Sequence, residues 1–235
     1  MKSFVIGDIH GGLKALDQCI ERSSIHPQKD RLICLGDVAD GWPETYGCFE
    51  RLLEFKNLVY IIGNHDAWLL NYFETKRVPP IWYSQGGKET LVSYLDKDFS
   101  RHHELLKNSL DYFIDERNNL FIHGGFNTRL PIDKAANRTE YRHVDGGRHS
   151  DYNWDREMWY SAVWHTFPIE PYRKIFIGHT STSRINNNIP QYGANVWNLD
   201  QGAGWDGNLT IMNVDTEEYW QSDRVKTLYP KEKGR

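Results

Sequence analysis

The chain has 235 residues, three cysteines and a formal net charge of −4 at pH 7, with a sequence pI near 6.2. This acidic balance argues against general binding to nucleic acid, which needs a basic face. The longest apolar runs fall far short of the roughly 20 residues of a membrane span, and no signal-type leader precedes the first predicted strand, so we expect a cytoplasmic protein without membrane contact.

The length favours a single domain over residues 1–235, since no linker or low-complexity segment divides the chain. Cys19, Cys34 and Cys48 lack the spacing of a metal site. They are expected to be reduced residues that pack in the interior.

Five short apolar runs each end at a polar motif that contains glycine. Runs of this kind are predicted to be buried strands of an α/β sheet, and helical apolar stripes after the first two motifs support an alternation of strand and helix. Ligands of open α/β sheets bind beyond the carboxyl ends of the strands, so motifs far apart in sequence can converge on one point. The motifs lie at residues 7–11, 36–37, 63–66, 123–125 and 178–180.

Carboxylate, imidazole and amide side chains recur in these motifs, a mixture that suits transition metals of intermediate hardness. Two divalent ions held about 3.5–4 Å apart need a bridging anion and can clamp a phosphoryl group for in-line displacement. Asp37, which follows the second predicted strand, is the candidate bridge, and a hydroxide shared by the ions would be the nucleophile. The candidate ligands are Asp8, His10, Asp37, Asn64, His123 and His179.

These motifs, with Asp40 after the second one, resemble the calcineurin-like metallophosphoesterase superfamily. Their order and spacing are most similar to the phosphoprotein-phosphatase type, in particular to its small bacterial and phage serine/threonine phosphatases, and to the symmetric diadenosine tetraphosphatases. The resemblance covers about residues 6–219. Further matching segments lie at residues 82–94, 154–157 and 200–210.

The resemblance implies an α/β fold in which two mixed β-sheets form a sandwich flanked by helices. Segments 74–119 and 126–171, the second of them rich in Arg, Tyr and Trp, are expected to form a helical and loop cap that shapes the substrate entrance. Segments 196–199, 209–214 and 218–221 have strand character and are predicted to close the second sheet as an antiparallel run.

The resemblance also assigns roles. His65 would be the general acid that protonates the leaving-group oxygen, and Asp40 would orient its ring and keep it protonated near neutral pH. Asp40 could instead cap the helix predicted after Pro43. Asp8 and His10 would bind the first metal ion, and Asn64, His123 and His179 would bind the second. Asp37 would bridge the two ions.

One part of the family pattern is missing. The pattern continues Asp-Arg-Gly after the second motif, whereas this chain has Gly41 after Asp40, and residues 176–177 are apolar where a second arginine is usual. A phosphoryl group needs further positive charge, so we expect Arg156, or failing that Arg129, to bind it. The stem of Arg156 could instead lie on the aromatic surface of Trp154.

The sequence therefore predicts a phosphatase with two divalent metal ions, Mn²⁺ before Fe or Zn, that acts on phosphorylated substrates. Phosphoserine and phosphothreonine in proteins are the substrates typical of the resemblance, while Gly41 and the aromatic cap favour nucleotides or dinucleoside polyphosphates. Phosphodiester cleavage in nucleic acid is disfavoured by the acidic charge. A non-catalytic phosphate-recognition module is a further alternative, against which His65 argues, since such a module needs no acid beside a ligand.

Overall fold

The computed structural model describes residues 1–135, 150–165, 167–185 and 188–235. Within these residues, two β-sheets pack against each other and helices cover them, so the predicted sandwich of two mixed sheets is confirmed. The helices are α1 (Leu13–Ser23), α2 (Thr45–Leu52), α3 (Asn64–Thr75), α4 (Pro80–Trp82), α5 (Lys88–Ser93), α6 (Ser100–Lys107), α7 (Asp151–Trp154), α8 (Glu157–Trp164) and α9 (Val225–Leu228), with helical turns at Tyr83–Gly87, Ile132–Lys134 and Thr182–Ile185.

The first sheet is built mainly on the amino-terminal part of the chain. From one edge to the other it consists of β10 (Tyr219–Gln221), β9 (Thr210–Asn213), β1 (Ser3–Ile6), β2 (Arg31–Cys34) and β3 (Asn57–Tyr60). Strands β1, β2 and β3 are parallel, so their carboxyl ends meet at one edge. Strand β9 runs antiparallel to β1, which makes the sheet mixed.

The second sheet consists of β4 (Tyr112–Ile114), β5 (Asn119–Ile122), β6 (Lys174–Ile177), β8 (Val196–Asn198) and β7 (Gln191–Gly193), in that spatial order. The three central strands β5, β6 and β8 are parallel, and the two edge strands are antiparallel to their neighbours. Strands β5 and β6 are the last two of the five runs predicted from the sequence.

The prediction for the final strands was wrong in part. Of the three segments predicted to close the second sheet, only the one that forms β8 joins it. Strand β8 lies parallel to β6, with Phe176 opposite Trp197. Strands β9 and β10 instead extend the first sheet, where Val5 lies opposite Met212. The physical reason is that all four residues of β9 are buried, which suits a strand that lies between two neighbours and is covered on both faces.

The side chains of the first sheet alternate between two apolar layers. Phe4 and Ile6 of β1 pack with the helices in one layer, whereas Val5 between them faces the second sheet, as the two-residue period of a strand requires. In the layer between the sheets, Phe121 and Phe176 stack with ring centroids 4.9 Å apart. Cys19, Cys34 and Cys48 are free and buried, as expected from the sequence.

The two segments expected to form a cap lie on different sides of the sandwich core. Segment 74–119 includes α5 and α6, which pack on α2 and α3, and also the edge strand β4. Segment 126–171 includes α7 and α8, and its residues 136–149 and 166 lie outside the described part of the chain. The cap itself remains a prediction. Across the described residues, none of the helices has both the length and the apolar character that a membrane crossing requires.

Replacing Phe176 with alanine should destabilise the fold by about 3–5 kcal/mol, because it leaves a cavity between the two sheets. Urea unfolding followed by tryptophan fluorescence measures the change. Phe167 provides the control, since its side chain is 82% exposed, and Phe167→Ala should change the stability by less than about 0.5 kcal/mol. Equal effects of the two substitutions would contradict the assigned inter-sheet core.

Candidate metal centre and active site

The polar residues singled out in the sequence follow the carboxyl ends of the predicted strands and meet at one place. Residues 8 and 10 follow β1, residues 37 and 40 follow β2, and residues 64 and 65 begin α3 after β3. The two remaining histidines follow β5 and β6 of the second sheet. All these side chains are buried: Asp8, His10, Asp37, Asp40, Asn64, His65, His123 and His179.

Four of these residues have left-handed backbone conformations that non-glycine residues seldom adopt. The φ angles are 51° at His10, 50° at Asp37, 73° at Asp40 and 64° at His179. Such conformations cost on the order of 1–3 kcal/mol each and cluster at functional sites. The amides of residues 9 and 10 both donate to the carbonyl oxygen of Asp37, which helps to hold the first two loops together.

Two motif glycines allow the loops to approach the carboxylates. A Cβ atom at Gly63 would lie 2.1 Å from Oδ1 of Asp37, and one at Gly178 would lie 2.1 Å from Oδ1 of Asp8. Any side chain at these positions would therefore push a carboxylate out of place. Close packing of the site therefore requires glycine at these two positions.

The buried ligand atoms form two groups that share Asp37. One group contains Asp8, His10 and Asp37, the other contains Asp37, His123 and His179, and within each group the candidate ligand atoms lie within 4.8 Å of one another. Oδ2 of Asp37 is 3.8 Å from Nε2 of His10 and 3.4 Å from Nε2 of His123. The residue predicted as the bridge thus lies between the two groups.

Asn64 also lies at this centre. Its Oδ1 atom is 3.3 Å from Nε2 of His123, and the backbone N–H of His179 donates to both oxygens of Asp8, at 3.2 and 3.1 Å. The structure therefore brings together all six residues that the sequence predicted as metal ligands.

Backbone carbonyls orient the three histidines of the centre. Nδ1 of His10 donates to the carbonyl of Ala39 at 3.1 Å, and Nδ1 of His123 donates to that of Leu35 at 2.7 Å. Nε2 of His179 donates to the carbonyl of Trp154 at 3.2 Å. Carbonyl partners of this kind fix the ring of a metal-binding histidine and leave the other nitrogen for the metal.

Burial and close charges shift the pKa values of the ionisable groups at this centre. Burial, and next the charge of Asp200, raise the pKa of Asp8 well above its usual range. Burial also acts to raise the pKa of Asp37, but the positive charge of His123 and the side-chain hydrogen bond from it outweigh burial and lower that pKa. Burial opposes protonation of His123, yet the Asp37 carboxylate raises its pKa to about 9. A divalent cation can replace this proton, because metal binding releases protons from ligands.

The other two histidines are neutral near pH 7. Burial, and next the guanidinium of Arg235, lower the pKa of His10 to about 4. Burial, and next the charge of His123, lower the pKa of His179 well below its usual range. A neutral imidazole has the lone pair that a metal ligand requires, so the donor set fits two divalent ions.

His65 and Asp40 form a buried pair beside the metal centre. Nδ1 of His65 is 2.6 Å from Oδ2 of Asp40, and the His65 ring lies edge-on to His10 with centroids 5.1 Å apart. Asp40 also accepts hydrogen bonds from Nε1 of Trp82 and the hydroxyl of Thr90, both at 2.8 Å. The carboxylate predicted to orient His65 is therefore in contact with it.

Burial acts against the expectation that Asp40 keeps His65 charged. Burial, and next the charge of Arg235, lower the pKa of His65, while burial raises that of Asp40. A neutral His65 with a protonated Asp40 carries as many protons as an imidazolium with a carboxylate. In both forms Nε2 of His65 carries hydrogen, and this buried atom has no hydrogen-bond partner among the described residues.

Asp66 has a structural role. One oxygen accepts the backbone N–H groups of Val38 and Ala39, at 3.0 and 3.1 Å, and the other accepts that of Gly63 at 3.1 Å. This carboxylate therefore ties the loop after β2 to the start of α3.

Of the two arginines predicted to bind phosphate, Arg156 lies at the centre and Arg129 lies on an exposed turn. One guanidinium nitrogen of Arg156 donates to the carbonyl of His179 at 2.6 Å and approaches the hydroxyl of Thr180 at 3.4 Å. Arg156 lines a pocket with His179, Tyr160 and Trp205. The backbone N–H of Arg129 donates to Asn127, and its side chain is exposed.

Two charged residues at the centre were not predicted from the sequence. Asp200 is a buried carboxylate near Asp8, and it lies in a matched segment to which no role was assigned. Arg235 places its guanidinium 3.3 Å from Nε2 of His10. It follows no strand and belongs to no motif, so nothing in the local sequence indicates its position.

Comparison with known proteins shows the family of this chain. The model of a family described as calcineurin-like phosphoesterase matches residues 1–203. The chain belongs to the calcineurin-like phosphoesterase family and is a metal-dependent phosphoric ester hydrolase. The resemblance and the enzyme class expected from the sequence are confirmed.

Similar proteins include tetraphosphatases of two kinds. A symmetrical bis(5'-nucleosyl)-tetraphosphatase of Pseudomonas entomophila (strain L48) is 23% identical over 98% of this chain and 97% of that protein. The asymmetrical bis(5'-nucleosyl)-tetraphosphatase PrpE of Bacillus thuringiensis (strain Al Hakam) is 25% identical over 93% and 92%. A crystal structure provisionally assigned as a diadenosine tetraphosphatase shares the fold with a TM-score of 0.64 at 17% identity, over 94% of this chain and 92% of that chain.

Proposed function

We propose that this protein hydrolyses phosphorylated nucleotides, with dinucleoside polyphosphates as the first candidate substrates. The observation that carries the proposal is the buried centre in which two ligand groups share Asp37, with the His65–Asp40 pair beside it. This arrangement combines the ligands for two ions with a proton donor, as phosphoryl transfer to water requires.

The metal ligands we propose are Asp8 and His10 for one ion and Asn64, His123 and His179 for the other, with Asp37 shared. When bound, two divalent ions supply an activated water and neutralise charge on the phosphoryl group. Mn²⁺ is the first candidate, and Fe and Zn are alternatives, because oxygen and imidazole donors together suit ions of intermediate hardness.

The side chains around the ligands donate the proton and bind the phosphate. Nε2 of His65 donates its hydrogen to the departing oxygen, while Asp40 holds the ring in place through the other nitrogen. Arg156 binds a phosphate oxygen beside the loop of His179, to which it already donates a hydrogen bond.

Two observations support nucleotide substrates. The similar tetraphosphatases match this chain over nearly the whole length of both proteins. The pocket beside His179 combines the guanidinium of Arg156 with the rings of Tyr160 and Trp205. The guanidinium can pair with phosphate, and the exposed surface of Tyr160 can stack on a nucleobase outside this small pocket.

A serine/threonine phosphatase is the second candidate. It is favoured by the His65–Asp40 pair, because an alkoxide leaving group departs poorly without a proton. A dinucleoside polyphosphate releases a nucleotide through a phosphate oxygen, and this leaving group needs the proton less than an alkoxide does. The two candidates therefore share the metal centre and differ in what binds beyond it.

Replacing His65 with asparagine should lower kcat by about 10²–10⁴, since the general acid is lost, while the Mn content stays near that of the parent. Steady-state hydrolysis of a slow alkyl phosphate and metal analysis of the same samples test this. His103→Asn is the matched control, because His103 lies in α6 away from the centre. A variant at position 65 with parental kcat would refute the assigned role.

The substrate proposal is tested with the Mn²⁺-loaded protein on diadenosine tetraphosphate, nucleoside triphosphates, phosphoserine and phosphothreonine peptides, and p-nitrophenyl phosphate. We expect kcat/KM for diadenosine tetraphosphate to exceed that for the peptides by at least about tenfold, which corresponds to 1.4 kcal/mol of transition-state binding. Chromatography of the products distinguishes two ADP from ATP plus AMP. A preference for the phosphopeptides would favour the second candidate, and a chelated sample serves as the control.

A further inference from the structure

The second arginine at this centre belongs to the segment that follows α9. The guanidinium of Arg235 is 3.3 Å from Nε2 of His10 and donates to Oε1 of Gln85 at 3.0 Å. It also lies over the ring of Trp205, 4.8 Å from the centroid. Gln85 and Trp205 thus hold the positive group at the edge of the ligand group formed by Asp8, His10 and Asp37.

Gly41 lies beside this arginine. Its φ of +105° is strained for any residue with a side chain. A Cβ atom at Gly41 would lie 3.5 Å from the Cβ atom of Arg235 and 3.2 Å from the carbonyl oxygen of His10. The side chain of Arg235 therefore begins beside position 41, where the sequence has glycine and not the expected arginine.

Trp42 anchors the segment that delivers the arginine. The buried indole stacks on Tyr229, with centroids 5.3 Å apart, and donates to the carbonyl of Ala203 at 2.6 Å. The backbone N–H of Arg235 donates to the carbonyl of Gly204 at 2.8 Å. Segment 229–235 is thus fixed at its start by Trp42 and at residue 235 by the loop beside Trp205.

The chemistry at His10 shows what the guanidinium can do. Because Nδ1 of His10 donates to a carbonyl, Nε2 presents a lone pair, and Arg235 can donate to it. The same lone pair is the one that the proposed metal would use. If a metal ion used that lone pair, the N–H of Arg235 would need another acceptor. A phosphate oxygen at this centre is the acceptor that the positive charge of Arg235 favours.

We propose that Arg235 is a substrate-binding residue whose guanidinium binds the phosphoryl group in place of the arginine missing at position 41. This inference rests on the proposed function of the centre. The two arginines then lie beside different proposed metal ligands, with Arg235 beside His10 and Arg156 beside His179.

Calorimetric titration of inorganic phosphate into Mn²⁺-loaded protein, after removal of free metal, tests the inference directly. Arg235→Ala should weaken phosphate binding by about 10- to 100-fold, as the loss of a charge-assisted pair predicts. Arg235→Lys should lie between this variant and the parent, because it keeps the charge but loses the planar fork. Lys233→Ala is the matched control, since it removes the same charge from an exposed position in the same segment.

The outcomes separate this inference from the proposed function. Parental phosphate affinity in Arg235→Ala would overturn the inference even if the parent hydrolyses every substrate tested. A reduced Mn content in that variant would assign Arg235 to the metal centre and also overturn it. An inactive parent would contradict the proposed function, while the phosphate titration would still decide the role of Arg235. If Lys233→Ala weakened phosphate binding as much as Arg235→Ala, the effect would come from the overall charge of the protein, and the inference would be overturned.

Discussion

The candidate active site is organised around one buried carboxylate, that of Asp37. Oδ1 of Asp37 accepts the backbone N–H of His65 at 2.9 Å, and Oδ2 faces the Nε2 atoms of His10 and His123. With Asp8 close by, this is a concentration of negative charge that an apolar interior cannot hold without a cation. The high pKa of His123 shows the same demand, because that imidazole takes up a proton to meet it. We therefore propose that this centre binds cations, and hydrolysis of phosphoric esters would follow from what the cations and the neighbouring groups can do.

The two sheets provide the rigidity that such a centre needs. Strands from both sheets end at the same edge, and the stacked Phe121 and Phe176 lie in the layer that joins them. The loops beyond this edge carry left-handed residues, among them Asp37 and His179. Strained loops of this kind persist only when the surrounding structure determines them, so the well-packed sandwich and the strained site are parts of one arrangement.

The sequence could predict which residues meet at the centre, because each of them lies in a loop that follows an apolar strand, and this information is local. The chain order of the motifs also placed Asp37 between the two groups, as the structure shows. The sheet joined by β9 could not be predicted, because an apolar pattern reveals burial but not the partner strand. Arg235 was missed for a similar reason. Its position depends on contacts of Trp42 and Tyr229 across nearly the whole chain, and no spacing rule encodes them. The protonation of His65 depends on burial, which the sequence indicated only weakly.

The central claim is that Asp37 serves two cations at once. The most direct test is an anomalous difference map from crystals soaked in Mn²⁺, collected at the manganese edge, for the parent protein and for Asp37→Asn. We expect two peaks in the parent, about 3.5–4 Å apart, with the Asp37 carboxylate in contact with both, and the loss or separation of the peaks in the variant. A single peak away from Asp37, or two unchanged peaks in Asp37→Asn, would contradict it.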